Sequence, residues 1–273
     1  MTVVDGNTLD GVSATTLWTL HNRASEAKRP DGVLDDPHAV PLYDTIAYDY
    51  LKFGKPNQSH PLRAKAFDAA ATAYLRQHPR AAVVALAEGL QTSFWRLAAA
   101  GVAADLRWYS VDLPAVIALR EQLLPHDERV VNLAQSALDR SWMDRLDPTD
   151  GVFITAEGLF MYLEPDDVLA LIGDCAARFP GGRLMFDSIP PWFSRRTLAG
   201  HKLSDRYTAP RMPFGVTPDD AVALVSKIPG VRAGRDMPLP PGRGIYKLIA
   251  SPTLNNIGPL RRRRPSMTQV DFG

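Results

Sequence analysis

Apolar positions follow two alternating patterns through the middle of the chain. Residues 81–86 are an unbroken apolar run, which is typical of a short strand buried on both faces. Residues 165–179 instead carry apolar side chains three and four positions apart, as expected of an amphipathic helix that begins at Pro165. These patterns alternate repeatedly, which predicts an α/β fold with a mostly parallel central sheet flanked by helices.

The same patterns give the positions of the predicted elements. The predicted strands are residues 81–86, 106–111, 151–155 and 182–187, with a further strand near 245–250. The predicted helices are residues 94–100, 114–124, 165–179 and 218–228. Before them the chain has helical spacing and no obvious strand, so we predict an N-terminal helical cap over residues 1–78.

Two further segments depart from this alternation. Residues 189–216 are rich in Pro, Arg and aromatic side chains, which is typical of an insertion, and we predict a lid over the carboxyl edge of the sheet. Residues 251–273 contain Pro, Gly and four consecutive arginines at 261–264, and they are predicted to be a flexible basic tail. The predicted binding core is therefore residues 79–250, with the lid inside it.

Composition and charge exclude several classes of protein. The 273 residues carry 31 Lys and Arg against 30 Asp and Glu, so a net charge of +1 gives no field for broad binding to nucleic acid or an anionic membrane. The apolar stretches are too short to span a bilayer. The single Cys175 and the absence of a secretory leader predict a reduced, cytoplasmic protein. No metal is predicted, because the six histidines have no metal-ligand spacing.

The first strand-to-helix junction carries the most informative loop. A dinucleotide fingerprint requires three glycines, and this loop has Ala87, Gly89 and Thr92 at those places. One glycine of three disfavours a nicotinamide or flavin dinucleotide and favours a smaller nucleoside with no pyrophosphate. The alternative is that Gly89 only makes a tight turn.

Two acidic residues follow the next apolar strands. Asp112 ends the second strand, 23 residues after Gly89, where a carboxylate can accept both hydroxyls of a ribose. The alternative for Asp112 is a helix cap ahead of Pro114. Glu157 follows the fourth strand directly, so its carboxylate should project into the same crevice, where a cation would meet it.

These residues, in this order, carry a family resemblance. The chain resembles the leucine carboxyl methyltransferase family of class I S-adenosylmethionine (SAM)-dependent methyltransferases, and within it the polyketide O-methyltransferase branch. The resemblance implies a Rossmann-like fold over nearly the whole chain. The matching pieces are residues 15–26, 34–39, Arg63 with its helix, 86–97, 111–114, 136–143 and 155–163.

The resemblance also implies how the cofactor is held. Arg63 would bind the carboxylate of SAM, Asp112 its ribose and Glu157 its amino group, in agreement with their charges. The implied cofactor contacts are Arg63, Glu88, Gly89, Asp112, Leu113, Ser136, Ala137 and Glu157, with Ser136 and Ala137 beside the adenine. Three positions depart from the family pattern, which usually has a glycine, an acidic residue and an aspartate where this chain has Ala87, Gln91 and Ser136.

The candidate residues for binding the methyl acceptor follow from the chemistry of methyl transfer. A carboxylate acceptor is already ionised at neutral pH, so it needs alignment by a cation or by donors rather than a general base. A hydroxyl acceptor would need a base, for which His201 and Tyr162 are the candidates. The predicted lid supplies Arg195, Arg196, Arg206, Arg211, Tyr207 and His201. The pair Trp192 and Phe193 is a candidate lining for a planar substrate.

The sequence therefore predicts an O-methyltransferase that uses SAM, releases S-adenosylhomocysteine and methylates a carboxylate or hydroxyl of a small molecule, such as a polyketide or another secondary metabolite. A protein C-terminal carboxyl methyltransferase is one alternative. A non-catalytic binding protein with the SAM fold is another, and a nicotinamide dehydrogenase is disfavoured by the broken glycine fingerprint. The sequence predicts no nucleic-acid or membrane partner and leaves the oligomeric state open.

Overall fold

The computed structural model describes residues 3–251, 253 and 257–273. The strands are β1 Val4–Asp5, β2 Ile46–Ala47, β3 Ala82–Leu86, β4 Arg107–Asp112, β5 Val130–Ala134, β6 Val152–Ala156, β7 Arg183–Ser188, β8 Lys202–Ser204, β9 Tyr207–Thr208, β10 Val231–Asp236 and β11 Ser266–Phe272. The α-helices are α1 Thr15–Ala27, α2 Ala39–Thr45, α3 Ser59–Gln77, α4 Ser93–Ala99, α5 Pro114–Leu123, α6 Pro165–Arg178, α7 Pro191–Leu198, α8 Pro218–Val225, α9 Ile245–Ile249 and α10 Gly258–Arg261.

Seven strands form one central sheet in the order β10-β11-β7-β6-β3-β4-β5. The five strands from β7 to β5 are parallel, and β11 is antiparallel to both β7 and β10. Every position of β3 and β6 is buried, which explains their unbroken apolar sequences. The prediction of a mostly parallel sheet flanked by helices is confirmed.

Helices cover both faces of this sheet. On one face, α6 and α8 pack on the strands in a core that includes the buried Cys175. On the other face, α3 and α4 pack on β3 and β4 around Trp108. Pro stands in the first turn of α5, α6, α7 and α8, where its missing N–H costs no helical hydrogen bond.

The N-terminal residues before β3 are mostly helical. Helices α1 and α2 share an apolar cluster with α5, centred on Leu17 and Leu20. The cap also contains the two-residue parallel pair β1–β2, which the sequence analysis did not predict.

The predictions for the C-terminal part are wrong in two places. Residues 245–249 are helical rather than a strand, because the sheet takes its last two strands from elsewhere. Residues 266–272 are not a flexible tail: every residue of β11 is buried between β7 and β10. Two arginines of the basic run are also fixed, since Arg261 pairs with Asp219 and Arg264 pairs with Asp236.

The predicted lid segment is inserted between β7 and α8. It contains α7 and the antiparallel pair β8–β9. A parallel bridge between Ile189 and Gly215 closes its base, and the Ser194 hydroxyl donates to the carbonyl of Met212 at 2.7 Å, which joins its two arms.

Candidate active site

A cavity of about 510 Å³ opens at the carboxyl ends of β3, β4, β6 and β7. Its walls include side chains from α1, α3 and the lid segment as well as the loops that follow the strands. This edge is where an open parallel sheet binds its ligands.

The loop after β3 is a close-packed turn. Ala87 and Gly89 both have left-handed backbone angles, with φ of 50° and 60°. A Cβ at Gly89 would lie 2.3 Å from the Thr16 hydroxyl oxygen, which accepts the Leu90 N–H at 2.7 Å. Glycine is therefore required at 89 both for its backbone angle and for the approach of α1.

Asp112 lies at the end of β4 and faces this loop. One of its carboxylate oxygens accepts the Gly89 N–H and the other accepts the Leu113 N–H, each at 2.7 Å. Burial raises the pKa of Asp112, although the two N–H groups oppose this effect. Leu113, not Asp112, is the cap residue of α5, so the helix-cap alternative does not hold. Each carboxylate oxygen keeps a lone pair for a further donor.

Glu157 lies within a buried charged cluster after β6. Arg63 donates from Nε to Glu157 Oε1 at 3.0 Å and from Nη1 to Asp187 Oδ2 at 3.1 Å. Gln91 Nε2 also donates to Glu157 Oε1, at 2.7 Å. Burial raises the pKa of Glu157, and Arg63 opposes this effect. Burial alone would lower the pKa of Arg63, but the carboxylates of Asp187 and Glu157 raise it.

Two features of this cluster were not predicted. Asp187 is the penultimate residue of β7, and its other oxygen accepts the Gly158 N–H at 2.6 Å. An acidic residue at the end of an apolar strand was the available signal, as it was for Glu157. Gln91 replaces the acidic residue usual in the family pattern, and it gives Glu157 a donor where a carboxylate would repel it.

Glu88 borders the cavity, but its carboxylate is bound within the protein. It accepts from Trp108 Nε1 at 3.1 Å and from the Ser110 hydroxyl, and it pairs with Arg120 at 2.9 Å. Arg120 in turn donates to the carbonyl of Gly89 at 2.7 Å. The Glu88 carboxylate therefore shapes the glycine loop, and its contact with the cofactor stays a prediction.

The predicted adenine end lies after β5. Leu113, Ser136 and Ala137 all line the cavity, and Leu113 is 46% exposed. The Ser136 hydroxyl accepts the Leu138 N–H at 3.1 Å, which fixes this turn. This end of the cavity therefore carries the apolar side chains of Leu113 and Ala137 together with the polar Ser136.

The structure does not bring the predicted lid arginines to the cavity. Arg195, Arg196 and Arg211 are exposed, and Arg206 pairs with Asp49 at the surface. For Arg195 and Arg196 the reason is the helical spacing of α7, whose inner face is formed by Phe193, Ser194 and Thr197 while these two arginines face solvent.

Some of the aromatic and histidine candidates line the cavity, and others lie outside it. Phe193 lines the cavity, whereas Trp192 is 40% exposed. His201 packs edge-on against Phe193 outside the lining, and Tyr207 packs on Phe53 in the cap. Tyr162 does line the cavity, and burial raises its pKa.

Most of the other side chains that line the cavity were not predicted from the sequence. Among these unpredicted lining residues are Trp18, His60, Met161, Met212, Leu239 and Tyr246. For His60 a signal existed: it stands three residues before Arg63 at the start of the same helix, so both point to one face. The others come from separate elements and had no local signal.

Comparison with known proteins identifies the family. The sequence model for leucine carboxyl methyltransferase matches residues 16–176. The chain belongs to the leucine carboxyl methyltransferase family. It is 32% identical to the tetracenomycin polyketide synthesis O-methyltransferase TcmP of Streptomyces glaucescens, over 82% of each chain. It is 26% identical to the S-adenosyl-L-methionine-dependent methyltransferase dpfgK of Gibberella zeae, over 82% of this chain and 81% of the relative.

A solved structure supports the fold assignment of this family member. The plantazolicin methyltransferase BamL, in complex with a desmethyl substrate analogue and S-adenosylhomocysteine, superposes with a TM-score of 0.54 over 96% of this chain and 99% of BamL. Its sequence identity is 9%, so it shows the fold alone. The predicted family, class I methyltransferase fold and SAM cofactor are confirmed.

The polar groups at the cavity fit SAM. Asp112 has acceptor capacity for two hydroxyls, and Glu157 Oε2 has no hydrogen-bond partner among the described residues. Arg63 Nη2 lies against Gly158, and any side chain there would approach it within 3.0 Å. The site thus offers acceptors for a ribose and an ammonium, and a cation for a carboxylate.

No α-helix among residues 3–251, 253 and 257–273 is long and apolar enough to cross a membrane. In that same part of the chain no group of three or more His, Cys, Asp or Glu side chains is arranged to hold a metal ion.

Proposed function

We propose that this protein is an O-methyltransferase that methylates the carboxylate of an apolar small molecule. The observation that carries the proposal is a single cavity whose polar cluster, Arg63 with Glu157 and Asp187, lies beside an apolar chamber. The name of the relative TcmP supports a polyketide or a similar secondary metabolite as the acceptor.

The chain's own residues would hold the cofactor at three points. Arg63 binds the carboxylate of SAM through its guanidinium, Glu157 accepts from the amino group, and Asp112 accepts from the two ribose hydroxyls. Gln91 keeps Glu157 in place by its hydrogen bond to Oε1. Ser136 and Ala137 border the adenine. When bound, SAM supplies an electrophilic methyl group on a sulfonium.

The acceptor chamber favours an apolar, planar molecule. Phe193, Met212 and Met161 provide a ring and two flexible thioether chains, which adapt to irregular apolar shapes. Leu239 and Tyr246 form a further wall, from the segment that precedes and begins α9. These side chains exclude water from the reacting atoms, which is the main requirement of a direct methyl displacement.

Tyr162 is a phenol donor in this proposal and not a base. Because burial raises its pKa above the ordinary value near 10, it stays protonated at neutral pH. It therefore does not remove a proton from a hydroxyl acceptor. A carboxylate acceptor arrives ionised and needs no such step.

The first experiment is calorimetric titration of the purified protein with SAM and with S-adenosylhomocysteine. Binding near micromolar, about −8 kcal/mol, supports the cofactor assignment. Absence of binding to both contradicts it and favours a non-catalytic binding protein.

The second experiment identifies the acceptor class. The protein is incubated with methyl-labelled SAM and matched pairs of aromatic carboxylic acids and phenols, together with a leucine-ended peptide. A methyl ester releases labelled methanol in mild alkali, whereas a methyl ether does not. Label that alkali releases from the acids supports the proposal. Stable ether products, or methylation of the peptide alone, contradict it.

A further inference from the structure

His60 has a contact set unlike those of the other cavity residues. It lies in the first turn of α3, three residues before Arg63, and it lines the same cavity. Its ring packs edge-on with Trp18, with centroids 4.9 Å apart. His60 and Arg63 therefore present two nitrogen-bearing side chains from one helix face to the cavity.

Asn22 determines which ring nitrogen of His60 carries the proton. The backbone N–H of Asn57 donates to Asn22 Oδ1 at 3.1 Å, so the oxygen of this amide must face Asn57. The amide nitrogen of Asn22 then faces His60 Nδ1, at 2.7 Å. An amide NH₂ can only donate, so Nδ1 carries the lone pair and the proton of the neutral ring is on Nε2.

The other ring nitrogen of His60, Nε2, is available to donate a hydrogen bond to a ligand. Nε2 has no hydrogen-bond partner among the residues that the structure describes, and it is not among the buried polar atoms that lack one. The charged groups that act on the ring are Arg63 and Arg23, both cationic. Burial, followed by these two cations, lowers the pKa of His60 well below its usual value, so the ring is neutral at pH 7.

We propose that His60 is a specificity-determining residue that donates its Nε2 proton to the carboxylate of the methyl acceptor and so selects carboxylates over hydroxyl groups. This inference rests on the proposed function, because it concerns the acceptor of the same cavity. A carboxylate oxygen offers only lone pairs, which match an N–H donor. A hydroxyl group must lose a proton during methylation, and a nitrogen that already carries one does not accept it.

The reaction balances without a proton acceptor. The new bond joins a carboxylate oxygen to the methyl carbon, and the bond between that carbon and the sulfonium sulfur breaks. The electron pair of the broken bond stays on sulfur as a neutral thioether. No proton moves, so His60 keeps its Nε2 proton and only orients the attacking group.

The tautomer is tested directly by NMR. Two-bond ¹H–¹⁵N spectra of the full chain with S-adenosylhomocysteine at pH 7 report which ring nitrogen is protonated, and the His60→Gln variant assigns the signal. His126→Gln, at an exposed position, is the matched control. We expect a protonated Nε2 and an unprotonated Nδ1. A proton on Nδ1 overturns the proposal.

The specificity is tested by reversing the tautomer. Asn22→Asp keeps an oxygen for the Asn57 N–H but replaces the donor to Nδ1 with an acceptor, which places the proton on Nδ1. With 1-naphthoate as probe at pH 8.5, we expect Asn22→Asp and His60→Leu to raise its Kd about tenfold to a hundredfold. His60→Gln, which keeps an N–H donor, should restore most of the affinity. The Kd of S-adenosylhomocysteine should not change.

Three outcomes separate a failure of the role inferred for His60 from a failure of the proposed function. Unchanged naphthoate affinity in Asn22→Asp, or equal wild-type affinity for 1-naphthol and 1-naphthoate, overturns the role of His60 alone. Failure of the wild-type protein to bind S-adenosylhomocysteine overturns the proposed function.

Discussion

At the scale of single residues, Ala87 has a backbone conformation that suits glycine. Its φ of 50° is left-handed, which costs an L-residue about 1–2 kcal/mol. The family resemblance implies a glycine at this place, so the loop has a conformation typical of glycine with alanine in it. The conformation persists because the Ala87 N–H donates to the Val111 carbonyl at 2.7 Å and the neighbouring Gly89 is packed against α1.

Ala87→Gly should therefore stabilise the fold. We expect the free energy of unfolding to rise by about 1 kcal/mol, because removing the Cβ relieves the left-handed strain. Urea denaturation measures this as a higher midpoint with an unchanged slope. Ala99→Gly, at the exposed end of α4, is the control and should destabilise slightly. A lower midpoint for Ala87→Gly would show that the strain is absent.

Asp112 is the second residue for which the geometry gives a definite expectation. Asp112→Ala removes the two charge-assisted acceptor positions that we propose for the ribose, which should weaken binding of S-adenosylhomocysteine by about 1.5–3 kcal/mol. Titration calorimetry measures the change in Kd. Asp105→Ala, at an exposed loop position, is the control. Wild-type affinity in Asp112→Ala would remove this residue from the cofactor site.

At the scale of elements, β11 changes the interpretation of the C-terminal part. The sequence of this part is dominated by Pro, Gly and four arginines, and these features obscured a seven-residue strand that follows them. Antiparallel pairing with both β7 and β10 buries every side chain of β11, including Asp271, which pairs with Arg183 at 2.6 Å. The strand therefore belongs to the core.

This placement is tested by truncating the last apolar side chain of the strand. Phe272→Ala should lower the free energy of unfolding by about 3–5 kcal/mol, because Phe272 is fully buried. Ile257→Ala, 44% exposed in the segment before α10, should stay within about 0.5 kcal/mol of wild type. Equal, small effects in urea denaturation would mean that the C-terminal residues do not pack on the sheet.

At the scale of the whole molecule, buried histidines connect stability to pH. Burial lowers the pKa of His21 in the cap and of His60 at the cavity. In the unfolded chain these histidines have the ordinary pKa near 6.5, so they bind a proton more tightly there than in the folded protein. This contribution to stability is complete above that pH and is lost as the pH falls below it. The raised pKa values of Glu88, Asp112 and Glu157 act in the opposite direction at lower pH.

The His60 contribution can be isolated by difference. Between pH 7 and pH 5 we expect wild type to lose about 1–2 kcal/mol more unfolding free energy than His60→Gln, since one pKa unit corresponds to about 1.4 kcal/mol. Urea denaturation at several pH values measures this difference. His126→Gln should follow the wild-type curve, and an identical slope for His60→Gln would mean that the ring is not protected from protonation.

The sequence by itself determined the layered fold and the edge of the sheet at which the candidate cofactor residues meet. Buried parallel strands leave unbroken apolar runs, and the residues that follow those runs meet at one edge, so Asp112 and Glu157 could be placed together from local patterns. Arg63 needed the family resemblance, because nothing in its own helix indicates which carboxylates it meets.

Only the tertiary structure decided the acceptor side. The orientation of α7 turned the lid arginines outward and Phe193 inward, and the pairing of β11 depended on strands far from it in the chain. The donor role that we infer for His60 depends on Asn22 and Asn57, which lie in other parts of the chain. Such contacts leave no periodic signal, because they arise from the packing of elements against one another and not from the pattern within any one of them.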